Sequence, residues 1–134
     1  MAVYIILFRG VGGATQLPTK PLREALTAAG FKNAATYINS GNAIVKSALA
    51  RDKVVARIAK LCKAEFGFDK AIYAVTSEEW AELITNNPFP EAVDVGKFLH
   101  AAVLESPPKK ADLDALRAFA EEGERIEVVG TVAY

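Results

Sequence analysis

The chain has 134 residues, 51% hydrophobic and 24% charged, which is enough apolar material for one domain or for two small repeats sharing a core. Lys+Arg and Asp+Glu both total 16, so the formal net charge is zero. A general nucleic-acid binder usually carries a basic excess, and the balance argues against that class while leaving room for a local basic patch.

One cysteine, Cys62, makes an intrachain disulfide impossible and suits a reducing cytoplasm. The apolar start, residues 1–8, is short, has no basic residue before it and meets Arg9-Gly10 at once. Neither a signal peptide nor a membrane span is expected.

Residues 2–8 read as a first strand, nearly all apolar and so expected to be buried on both faces. A glycine-rich loop follows, Gly10-Val11-Gly12-Gly13. Thr19 suits a helix N-cap and Pro21 a first helical turn; Leu22, Ala25, Leu26 and Ala29 then recur at helical spacing before Gly30. Strands near 34–38 and 43–46 flank Asn39-Ser40-Gly41-Asn42, a strong hairpin signal. A second helix is expected over about 51–66, with Val54, Val55, Ile58, Leu61, Cys62 and Phe66 on its apolar face and Gly67 closing it. Residues 71–75 form a fourth strand, and Thr76-Ser77-Glu78-Glu79 fits a capping box for a third helix carrying Trp80, Leu83 and Ile84. Asn86-Asn87-Pro88-Phe89-Pro90 stops it.

A fifth strand is expected over 98–104, broken by Ser106-Pro107-Pro108. A fourth helix carries Leu113, Leu116, Phe119 and Ala120 and ends at Gly123. Residues 126–129 and 131–134 form a last hairpin around Gly130. The fold class is α+β: a ferredoxin-like βαββαβ unit over 1–76, then a helix and an incomplete βαββ repeat over 77–134, with antiparallel or mixed sheets in one compact body. The incomplete repeat leaves an open sheet edge, and such edges tend to be covered or paired, which suggests a homodimer.

In a βαββαβ plait the end of the first strand, the start of the first helix and the hairpin between the second and third strands lie at one end of the sheet. That places Arg9, Gly10, Gly12 and Gly13 near Asn39, Ser40, Gly41 and Asn42. Glycines let backbone N–H groups point at an anion, a helix N-terminus favours one, and Arg9 supplies a planar positive fork for phosphate or carboxylate. The alternative is that both segments are ordinary turns. The loop is not a dinucleotide fingerprint, because Thr15 stands where the third glycine belongs, and the chain has no Walker motif.

One Cys and one His make a zinc site improbable, and no cofactor is expected. Cys62 reads as a core residue, His100 as a packed or edge residue of the fifth strand. Lys53, Arg57, Lys60 and Lys63 read as a solvated stripe. The pair Glu121 and Glu122 is placed near a helix C-terminus, where the dipole disfavours it. Pro88-Phe89-Pro90 with Trp80 is either an exposed apolar contact or a satellite core. No nucleophile–base pair is identifiable, so an enzymatic reading ranks behind a small anionic ligand and behind an interaction module.

The run from Tyr4 through Phe8-Arg9-Gly10, then Gly12-Gly13, Leu17-Pro18, Leu22, Ala29-Gly30-Phe31 and Thr36-Tyr37-Ile38-Asn39-Ser40-Gly41-Asn42, resembles the family catalogued as domain of unknown function 1697. Phe66-Gly67-Phe68, Asn87-Pro88-Phe89 and Leu99-His100 extend the resemblance over most of the chain. It implies an uncharacterised bacterial, cytoplasmic protein with βαββ repeats, and it implies no activity, substrate or cofactor. The family's usual loop, Arg-Gly-Ile-Asn-Val-Gly-Gly, is two residues longer and has an asparagine that this chain lacks. The family also usually continues past the position of Tyr134, so the resemblance implies a C-terminally shortened member.

Overall fold

The computed structural model describes residues 1–39 and 41–134; Ser40, a member of the second turn, lies outside the described residues. The chain forms two compact units, Met1–Trp80 and Ala81–Tyr134.

The first unit contains β1 (Ala2–Phe8), α1 (Thr19–Ala28), β2 (Lys32–Thr36), β3 (Asn42–Ser47), α2 (Arg51–Phe66) and β4 (Ile72–Thr76). Its strands lie in the order β2-β3-β1-β4, and β1 pairs antiparallel with both β3 and β4. This is the strand order of a ferredoxin-like plait. Both crossovers place their helices on one face of the sheet, where α1 and α2 contact each other.

The core fills the space between helices and sheet. Tyr4, Ile6 and Phe8 of β1 and Ala43 and Val45 of β3 meet Leu22 and Leu26 of α1 and Val54, Ile58 and Cys62 of α2. Each large aliphatic side chain buried there stabilises the fold by about 1.5–3 kcal/mol. Phe8 sets its ring edge-on to Phe68, with centroids 5.8 Å apart and planes at 83°.

Strand β1 is not buried on both faces. Val3, Ile5 and Leu7 are only half-buried, on the side of the sheet away from both helices.

The N-cap of α1 is Pro18 rather than Thr19, and it makes no side-chain cap bond; the Leu22 amide donates to the Pro18 carbonyl. Helix α2 ends as its sequence requires, on Gly67 at φ 64°. At the start of α3 (Ser77–Thr85) the capping box forms in full. The Thr76 amide donates to Glu79 Oε2 at 2.9 Å and the Glu79 amide to Thr76 Oγ1 at 3.2 Å. Arg51 then pairs with Glu79 Oε1 at 2.6 Å.

The second unit contains β5 (Ala102–Val103), α4 (Lys110–Arg117), β6 (Val128–Val129) and β7 (Val132–Ala133). Its strand order, β5-β7-β6, reproduces β1-β3-β2 of the first unit, and both its pairings are antiparallel. The chain therefore uses the same βαββ topology twice.

Three expectations change in this unit. The strand expected over 98–104 shrinks to Ala102–Val103, and Pro90–Phe98 instead forms a 3-10 segment. A strand extends only as far as its partner ladder, and β7 offers two residues, supplemented by the Leu104 amide donating to Thr131 O. Helix α4 stops at Arg117, leaving Phe119 85% exposed. Glu121 and Glu122 consequently lie in the turn beyond the helix, where the Glu124 carboxylate accepts from the Glu121 amide, so they do not oppose the α4 dipole. Phe89 is buried at 6% exposure under the Arg125 guanidinium, which lies 4.5 Å from the ring centroid, so the Pro88-Phe89-Pro90 run is a local core.

Candidate functional site

The end of β1 is held from both sides. Leu7 pairs with Asn42 on β3 and with Tyr73 on β4. One residue on, the Phe8 amide donates to Gly41 O at 2.9 Å; one further, the Arg9 amide donates to Ala71 O at 3.0 Å. Gly41 is buried there with φ 85°, and a Cβ on it would stand 2.6 Å from Val11 Cγ2 and 3.0 Å from Phe8 O. The hairpin loop and the start of the glycine loop are thus in contact, as the plait topology requires. Arg9, Gly10, Gly41 and Asn42 flank this contact, and Asn39 belongs to the same hairpin loop.

Not every expected partner arrives. Phe8 faces the helices, so strand alternation puts Arg9 on the opposite face of the sheet, with Leu7. The N-terminus of α1 does not share that face. The distal glycines are engaged with each other's neighbours. Gly12 and Thr15 exchange both backbone bonds, at 2.6 and 3.0 Å, and Gln16 Nε2 donates to Gly13 O at 2.6 Å. The Gly12 amide is therefore occupied, and Gly12 and Gly13 shape a tight turn rather than a cradle of free donors.

Two residues outside the expected site adjoin the corner. Counting the β1–β4 register one step past Arg9–Ala71 sets Gly10 opposite Lys70, and a Cβ on Gly10 would lie 3.9 Å from Lys70 Cγ. Tyr37 donates its amide to Asn42 O at 3.3 Å, and Asn42 Nδ2 lies 3.5 Å from Tyr37 O. Its neighbour Thr36 faces α1, where Arg23 donates to its hydroxyl, so alternation gives Tyr37 the face away from the helices, shared with Asn42, Leu7 and Arg9. Ile38 follows with φ 49°. A left-handed backbone at a β-branched residue costs about 1–2 kcal/mol. Among the described residues no carboxylate pairs with Arg9.

The remaining chemistry is sparse. Burial pushes the Cys62 thiol up to about 11, which keeps it protonated and unreactive. His100 is exposed and lies outside β5, in the irregular stretch before it. Among the described residues no group of three or more His, Cys, Asp or Glu side chains is placed to hold a metal ion, and no helix is long and apolar enough to cross a membrane.

A ferredoxin-like unit followed by a second βαββ unit, with a cationic corner at the end of β1, defines an α+β protein whose fold carries no activity by itself. The chain belongs to the family described as protein of unknown function (DUF1697), whose model matches residues 1–134. It is similar in fold to the conserved bacterial protein SP0830 from Streptococcus pneumoniae, with a TM-score of 0.73 and 20% sequence identity. That match covers 98% of this chain and 76% of the other. No curated protein matches the sequence.

Proposed function

We propose that this protein binds a small anionic, phosphorylated ligand at the corner formed by Arg9, Gly10, Asn39, Gly41 and Asn42, with Lys70 as a second cation. The observation that supports the reading is the convergence of the hairpin loop on the end of β1 through Gly41, next to an arginine that no carboxylate neutralises among the described residues. A guanidinium fork of this kind suits phosphate. The bacterial cytoplasm is the setting we assign, since a free buried thiol such as Cys62 suits a reducing compartment. The test is a thermal-shift screen of inorganic phosphate, sugar phosphates and nucleotides against wild type and Arg9→Ala. Arg9 is exposed, so the variant folds. The expected result is stabilisation of wild type that Arg9→Ala loses; stabilisation that survives in Arg9→Ala, or silence across the screen, overturns the reading.

A second reading, a homodimer built on the open edge, is favoured by one observation. Among the described residues β5 is bonded along one edge only, to β7, while Phe98 and Phe119 stand 72% and 85% exposed in the same unit. Light scattering across a concentration series decides it: a dimer mass supports the reading, and a monomer mass at the highest concentration refutes it.

A further inference from the structure

We propose that the ligand of the corner is a nucleotide, with its phosphate on Arg9 and its base stacked on the ring of Tyr37. The inference rests on the anion reading above and names its ligand class.

Three features of the sheet face away from the helices point there. First, Tyr37 is 70% exposed at the edge of a row that runs Tyr37, Asn42, Leu7, Tyr73 across the sheet. A bare aromatic ring on the same sheet face as an arginine suits a nucleotide, since every base offers a π-face and every nucleotide an anion. Second, Ile38 is 61% exposed and holds a left-handed backbone, φ 49°, directly after that ring. Strain of this kind persists where the surrounding structure enforces it and clusters at ligand clamps.

Third, the spacing fits. Tyr37 lies two strands from β1, and Arg9 lies one pleat beyond Leu7. Strand spacing and rise put their Cα atoms about 12 Å apart on one face. An arginine and a tyrosine side chain reaching toward each other leave room between them for one sugar.

Isothermal titration of AMP, UMP, ribose 5-phosphate and inorganic phosphate tests this on the full chain, using wild type, Arg9→Ala, Tyr37→Ala and Tyr37→Phe. Both residues are exposed, so the variants fold. Wild type is expected to bind at least one of the two nucleotides about tenfold or more tighter than ribose 5-phosphate, the gain that one stacked base supplies. Tyr37→Phe keeps that preference, Tyr37→Ala erases it, and Arg9→Ala weakens every ligand. If ribose 5-phosphate binds as tightly as the nucleotides, or if Tyr37→Ala keeps the nucleotide preference, base stacking is overturned while Arg9-dependent binding still stands. If no ligand binds in an Arg9-dependent way, both readings fall.

Discussion

Replacing Gly41 with alanine probes the contact that holds the hairpin loop on β1. Two penalties combine. The residue sits at φ +85°, and an L-residue in left-handed backbone loses about 1–2 kcal/mol. The new Cβ would also lie 2.6 Å from Val11 Cγ2, 3.0 Å from Phe8 O and 3.2 Å from Phe8 Cβ. Val11 can rotate away, but the Phe8 carbonyl belongs to β1 and cannot shift without disturbing the sheet; overpacking of this kind costs about 1–3 kcal/mol. The expected loss is about 2–5 kcal/mol.

Gly30→Ala is the matched control. Gly30 has φ +91° with nothing within 4 Å of its Cβ position, so it carries the conformational penalty alone. For a chain of this size each kcal/mol moves Tm by about 3–4 °C. Gly41→Ala should therefore melt about 3–12 °C below Gly30→Ala. Thermal unfolding followed by the fluorescence of Trp80, which lies in the first unit, reads the difference. Gly41→Val should be worse still, because a β-branched residue resists positive φ more strongly. Equal melting of Gly41→Ala and Gly30→Ala would show that the loop does not press on β1, and the convergence behind the proposed site would be lost with it.

Three further outcomes follow from the geometry. Thr76→Ala removes the hydroxyl that accepts from the Glu79 amide and should cost about 1 kcal/mol in urea unfolding; a loss below a few tenths would mean the cap is frayed in solution. Burial raises the Glu79 carboxyl, but the Thr76 amide and the Arg51 guanidinium outweigh it and leave it below the ordinary carboxylate range. Its contribution is thus complete above the unfolded-state pKa and is lost as pH falls through the lower folded value, so wild type should lose more stability than Glu79→Gln on acidification through that window, and parallel pH curves would contradict this. Cys62, fully buried and with its thiol pushed up to about 11, should react with a disulfide reagent only as fast as the unit unfolds; immediate labelling of the native protein would refute its place in the core.

The parts of the fold that were legible in the sequence are those where a periodic apolar pattern meets a terminating residue. Helix α2 is the clearest case: Val54, Ile58 and Cys62 recur at helical spacing and Gly67 stops the chain in left-handed backbone. The Thr76–Glu79 box was legible because its four residues suffice to form it. The segment at residues 98–104 was misread because its apolar character does not reveal that its partner strand offers only two residues. The corner was half legible. Topology alone brought the hairpin loop to Arg9, but the face on which Arg9 lies depends on strand alternation counted from Phe8, and Lys70 and Tyr37 enter only through register. No motif marks Lys70, and Tyr37, although it stands in the Thr36–Asn42 run, was read as part of a strand rather than of the site. The glycine loop looked like a cradle because sequence shows permissive residues, not where their amides point; Gly12 spends its amide on Thr15.

The bonds at the tip of β1 join pieces from the start, middle and end of the first unit: Phe8 to Gly41, and Arg9 to Ala71. The corner is therefore a product of finished assembly. A fragment ending before β4 would hold Arg9, the glycines and the whole hairpin loop, yet it would lack the strand that aligns them, and closing that last pairing is the slow, non-local step of such a topology. A ligand bound at the corner would accordingly discriminate between folded and unfolded chains. Its concentration would raise the unfolding temperature of the unit as a whole by mass action, and the Phe8 and Arg9 amides would exchange with solvent only when that whole unit opens.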